Sequence, residues 1–164
     1  MRILITGPES SGKSTMAAAL STELDIPFIP EFARTYLEKN GPGYTLDSII
    51  TIAVQHHKIV ESQPLDSSFI LDTYMYNLAI WAQDKFGHIP EIVKQVIDNA
   101  DPLDFIFIMY PDTPWTADGL REDADRRVEL FDKFKDLLDS FNTTYHVITG
   151  VGQSRLENIL HHLK

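Results

Sequence analysis

Gly7, Gly12, Lys13 and Ser14 stand at the spacing Gly-x4-Gly-Lys-Ser, directly behind the apolar run Ile3-Leu4-Ile5. That pattern makes a phosphate cradle. Its glycines let backbone approach phosphate oxygens without an intervening Cβ, and the N–H groups of Glu9, Ser10, Ser11 and their neighbours turn inward. A helix opening at Lys13 would add the partial positive charge of its N-terminus. Lys13 is expected to reach the β- and γ-phosphates and Ser14 to ligate Mg²⁺, with Thr15 the next helical residue.

A cation at Ser14 needs a carboxylate, and Asp72 ends the apolar run Phe69-Ile70-Leu71. It fits the acidic partner of such a loop, although an Asp at the end of a strand is also a common helix cap. Glu31 and Arg34 follow the run Ile26–Pro30. There Glu31 is placed to take a hydroxyl proton and Arg34 to fix a polar substrate, while the helix dipole alone would also favour a Glu at that position. Arg121, Arg126 and Arg127 lie in Gly-Leu-Arg-Glu-Asp-Ala-Asp-Arg-Arg, residues 119–127. Such a run is usually a solvated charged loop; beside a phosphate loop it reads as a lid whose arginines stabilise a phosphoryl group in transfer.

Hydrophobic patterning supplies the elements that must position these residues. Strands are expected at 2–6, 26–30, 68–72, 104–110 and 144–149, and helices at 13–23, 31–39, 45–63, 75–86, 90–99, 128–140 and 153–163. Thr45 or Asp47 is the candidate cap of the third helix. Residues 112–127 carry no clear period. Strands alternating with helices imply an α/β fold, a parallel sheet covered on both faces. The connection across 30–68 exceeds a minimal crossover and is read as a substrate lobe at about 31–63. With a lid at about 112–127, the chain is expected to be one domain over 1–164.

With 164 residues, 43% of them hydrophobic, one core of useful size is affordable. The net charge of −10 argues against nucleic-acid and anionic-membrane partners. There are no cysteines, which removes disulfides, thiolate metal sites and Cys nucleophiles. No leader peptide is visible, so a cytoplasmic location is expected. The adjacent pairs His56-His57 and His161-His162 lack metal-ligand spacing.

The segment Thr113-Pro-Trp-Thr-Ala-Asp-Gly-Leu-Arg121, taken with Gly7–Thr15, Glu31-Phe-Ala-Arg-Thr-Tyr-Leu37 and Ile70-Leu-Asp-Thr73, resembles the NadR-type ribosylnicotinamide kinase domain, a P-loop kinase with AAA-like ATPase relatives. The resemblance spans essentially the whole chain and implies the kinase domain standing alone, without the adenylyltransferase to which it is usually fused. It implies a three-layer fold with a five-stranded parallel sheet in the order 2-3-1-4-5. The implied reaction is ATP- and Mg²⁺-dependent phosphorylation of the 5′-hydroxyl of nicotinamide riboside. By position it makes Lys13 and Ser14 phosphate and Mg²⁺ residues, and Asp72 the base or metal partner. Trp115 and Asp118 fall near the nicotinamide riboside or the lid hinge, Arg121 and Arg126 become lid arginines, and Arg155 packs on adenine. Trp115 would also suit a pyridinium ring through stacking and cation–π attraction. One departure is Tyr74, where the family often has a second Asp, so the base stays open between Asp72 and Glu31.

Other readings remain at this point. A GTPase switch is not supported, since no Asn-Lys-x-Asp string follows a strand, and an AAA-type or transport motor would be longer. A kinase for another nucleoside, a nucleotide or a polyol, and a regulatory ATP-binding module without turnover, both keep the phosphate loop.

Overall fold

The computed structural model describes residues 1–164. Five strands form one sheet, β1 (Arg2–Thr6), β2 (Phe28–Ile29), β3 (Phe69–Asp72), β4 (Phe105–Met109) and β5 (His146–Ile148). All pairings are parallel and the order is β2-β3-β1-β4-β5. Leu4 of β1 is level with Leu71 of β3 and Ile106 of β4. Seven helices connect and follow the strands, α1 (Lys13–Leu24), α2 (Phe32–Asn40), α3 (Leu46–Glu61), α4 (Met75–Phe86), α5 (Glu91–Asn99), α6 (Arg127–Ser140) and α7 (Gly152–His162).

The unbroken apolar run in β1 is explained by burial on both faces. Leu4 joins Leu71, Ile106 and Ile108 under α3, α4, α5 and α6. Ile3 and Ile5 point the other way and join Ile70, Phe107 and Met109 under α1 and α7. Strand side chains alternate between faces, so a strand covered twice has no polar side to show. No helix is long and apolar enough to cross a membrane.

The elements follow the hydrophobic pattern with small shifts at their ends. β2 is only two residues long, because Pro27 and Pro30 bracket it and cannot donate to a ladder. Thr45, not Asp47, caps α3, in a reciprocal capping box with Ser48. Residues 112–126 form neither helix nor strand.

Phe107 is fully buried between β4 and the α1/α7 layer, remote from the loops at the strand ends. Phe107→Ala should lower unfolding stability by about 3–5 kcal/mol in urea titration, and a loss under about 1 kcal/mol would contradict this two-sided core.

Candidate active site

A parallel sheet brings every β-strand's C-terminal end to one edge, and the loops there surround a cleft. β1 delivers the loop Gly7–Gly12 at its centre. On the β3/β2 side lie Asp72, Glu31 and Arg34; on the β4/β5 side lie Asp112 and residues 150–155. Residues 7–15 line the cleft together with Glu31, Arg34 and Arg121.

The loop is held by its own backbone and by three neighbours. Gly7 has φ 133°, and a Cβ there would lie 2.8 Å from the Met109 carbonyl oxygen. Gly12, at φ 80°, leads into α1, whose first residue is Lys13. The Ser11 hydroxyl and the Lys13 ammonium both donate to the Pro8 carbonyl, at 2.8 and 2.7 Å. Asn77 of α4 accepts from the Thr6 hydroxyl at 2.6 Å and donates to the Gly7 carbonyl at 3.3 Å. From below, the buried Arg155 guanidinium donates to the carbonyls of Ser11 and Tyr110 and to Asp112.

Three acidic residues act on Lys13 through space. Burial lowers the Lys13 ammonium from its ordinary value, while Glu31, Asp72 and Glu9 act to raise it. Burial raises both the Glu31 and the Asp72 carboxyl, against the pull of Lys13 on each and of the adjacent Ser14 hydroxyl on Asp72. Asp72 is 3% exposed, and its Oδ1 has no hydrogen-bond partner. It does not cap α4, whose N-terminus has no side-chain cap. Thr73, next to it, is held at φ 66°, a costly conformation for a β-branched residue. A buried, unpartnered carboxylate oxygen beside a hydroxyl is a donor set suited to a hard oxygen-seeking cation, so Ser14 and Asp72 fit Mg²⁺.

The segment 112–126 folds over the loop. Glu9 accepts from the backbone N–H of Glu122 at 2.9 Å and of Asp123 at 3.3 Å. Thr113 donates to the Ser10 carbonyl at 2.6 Å, and Thr116 N–H donates to the Ser10 hydroxyl at 2.9 Å. Arg121 pairs with Asp118 at 3.2 Å and reaches the Thr116 carbonyl. The same Asp118 oxygen takes Arg34 of α2 at 3.0 Å, which ties the two sides of the cleft together.

Three positions differ from expectation. Arg126 does not face the cleft: it forms a two-bond fork with Asp84 of α4, at 2.7 and 3.0 Å, and also holds Asp123 and Glu129. Arg126, followed by Lys133, draws the Asp84 carboxyl down to about 2. Arg155 is 1% exposed and props the loop, so it offers no open face for a base. Trp115 lies outside the cleft lining, with the Arg127 guanidinium 5.8 Å from its ring centre. Arg127 is engaged by the carbonyls of Ser10 and Thr113.

Two residues of the cleft carry no motif. Asn77 and Trp81 both line it from α4, one turn apart. The available signal is that a polar Asn interrupts an otherwise apolar face, and that Asn77, Trp81 and Lys85 recur at steps of four.

The fold is the one seen in P-loop nucleoside and nucleotide kinases. The chain belongs to the AAA domain family, which it matches over residues 2–155. Similar solved structures include a NadR protein in complex with NR, TM-score 0.78 at 19% identity, covering 99% of this chain and 50% of that one. The chain thus spans half the length of that NadR protein. A thymidylate kinase from Ehrlichia chaffeensis has TM-score 0.72 at 17% identity, covering 100% of this chain and 98% of that one. A deoxyadenosine kinase from M. mycoides, with dCMP and dCDP bound, has TM-score 0.71 at 14% identity over 99% and 98%.

Gly7→Ala should weaken binding of a nucleoside triphosphate at least about tenfold in calorimetric titration, since the methyl group and the positive φ both distort the cradle. Affinity unchanged within about twofold would show that the loop tolerates a Cβ.

Proposed function

We propose that the chain is an ATP-dependent kinase that phosphorylates the 5′-hydroxyl of a nucleoside, with nicotinamide riboside the favoured acceptor. The observation that carries this reading is that Lys13 and Glu31 line one cleft, with the buried Asp72 near enough to act on the same ammonium. A phosphate cradle and buried carboxylates from the neighbouring strand ends are the two halves of a phosphoryl-transfer site. The whole chain acts as one kinase domain, with residues 31–63 as the acceptor lobe and 112–127 as the lid.

ATP rests its triphosphate on residues 7–15. Ser14 and Asp72 would hold Mg²⁺, which would supply charge neutralisation for the triphosphate. Lys13 and Arg121 add positive charge where it builds up on the transferring group. The acceptor's 5′-oxygen bonds to the γ-phosphorus, the bond to the β,γ-bridging oxygen breaks, and ADP leaves. The hydroxyl proton passes to Asp72 or Glu31. The lid segment excludes water, which would otherwise take the phosphoryl group.

Charge favours a cationic acceptor. On the β2/β3 side the carboxylates are Glu31 and Asp72, while the guanidinium of Arg34 is already paired to Asp118 of segment 112–126. A pyridinium riboside suits that balance; a nucleotide acceptor would bring its own negative charge to a site short of free cations. The likeness of fold to a NadR protein in complex with NR supports the same choice.

Acceptor-dependent ADP release should appear with nicotinamide riboside above a panel of other nucleosides and a no-acceptor control. Lys13→Ala should lose several orders of magnitude in kcat/KM, and a loss under about tenfold would overturn the loop's role. Turnover with no nucleoside at all would overturn the kinase reading.

The base must be ionised to accept the proton, and burial raises both candidate carboxyls. Activity should therefore fall as pH is lowered through a value above the ordinary carboxylate range. A kcat/KM profile should show that acid limb. Asp72→Asn or Glu31→Gln, whichever removes the base, should abolish it.

A further inference from the structure

Trp81 stands on the cleft face of α4, one turn beyond Asn77, which grips the phosphate loop. It lines the same cleft as Leu37 of α2, Leu120 of the lid segment, and the charged Lys13 and Glu31. Its ring is only partly buried. Tyr44, which does not line the cleft, packs against it with ring centres 5.6 Å apart and planes inclined by 31°. Tyr44 is itself fixed by Phe86 at 6.3 Å and by the Lys85 ammonium 3.8 Å from its ring centre. Lys85 in turn reaches Glu122 of the lid segment at 3.7 Å. The indole is thus braced by a second aromatic and presents its remaining surface to the cleft.

Phe134, the other aromatic residue of the cleft lining, is almost fully buried in the core, whereas Trp81 keeps part of its ring exposed and is mounted on Tyr44. An aromatic face contributes where a flat ring must be fixed, because stacking is tolerant of ring identity but not of ring loss. Trp115, the other tryptophan of the chain, is turned to Arg127 and does not line the cleft.

We propose that Trp81, braced by Tyr44, is the platform on which the acceptor's planar ring rests, which restricts the acceptor to nucleosides and excludes acyclic and polyol alcohols. This rests on the kinase reading above. The platform sets acceptor affinity and alignment and does not touch the donor phosphates.

The test combines kinetics with fluorescence. Trp81→Leu keeps an apolar wall but removes the ring; it should raise the acceptor KM about tenfold, the range of one lost base–aromatic stack, with the KM for ATP unchanged. Trp81→Phe keeps a ring and should stay within about threefold of the parent, which guards against a folding defect in the leucine variant. In a Trp115→Phe background Trp81 is the only tryptophan, and nicotinamide riboside should quench its emission saturably, whereas ribose should not. Turnover of nucleosides with an unchanged acceptor KM in Trp81→Leu would overturn the platform and leave the kinase reading standing. Saturable quenching without any turnover would support the platform and overturn the kinase reading. Neither quenching nor a KM change would overturn the platform outright.

Discussion

Lys13 is a half-buried ammonium that donates to the Pro8 carbonyl and feels the fields of three carboxylates, and the rest of the site is arranged around that fact. An unpaired charge in such a place is prohibitively costly, and so is a surplus of carboxylate. Glu31, Asp72 and Glu9 come from three separate stretches of chain, yet all act on the one ammonium. Only a rigid frame can keep like charges that close. The parallel sheet is that frame: β1 supplies the loop, β3 ends on Asp72, and the turn after β2 supplies Glu31. The strand order sets these groups side by side without any local contact in sequence. The surplus of carboxylate makes this end of the cleft favour cations, through the same field that opposes the lowering of the Lys13 ammonium by burial.

A second constraint runs along α4. Asn77, Trp81, Asp84 and Lys85 share one face, and each meets a different part of the site: the phosphate loop, the cleft wall, Arg126 and segment 112–126. A helix is stiff over three turns, so a shift at one end is felt at the other. The buried face of the same helix packs Leu78, Ala79 and Ala82 into the larger core. Small residues at 79 and 82 let α4 lie close to its neighbours, which fixes the height at which its polar face stands over the loop.

Much of this was legible in the sequence because it is local. The glycine spacing, the apolar runs and the helical stripes each depend on residues close in the chain. The strand order was carried by family resemblance, and the pairings agree with it. The site was legible where a motif marks it, at residues 7–15. It was less so where function depends on who pairs with whom. Trp115 stood in a distinctive string and Trp81 in an ordinary helix, yet the tryptophan that lines the cleft is Trp81. Nothing in the string around Trp115 could reveal that Arg127 would turn its guanidinium to that ring. Arg155 shows the same thing in reverse: placed in a loop, it reads as exposed, but it lies on α7 and three acceptors after β1 and β4 bury it.

The arginines between 121 and 127 make the physical reason explicit. Their types and spacing are equivalent, and only their partners separate them. Arg126 meets a fork of two carboxylate oxygens on Asp84 and further acids on either side, and that network outcompetes the cleft for it. Arg127 finds backbone carbonyls of the loop and becomes part of its support. Arg121 is fixed by Asp118, an acid that also binds Arg34, and so remains at the cleft. Two guanidinium groups on one carboxylate hold each other in place less firmly than either would be held alone. An incoming anionic group can therefore draw Arg121 away from Asp118 at small cost, because Arg34 stays behind to satisfy the acid.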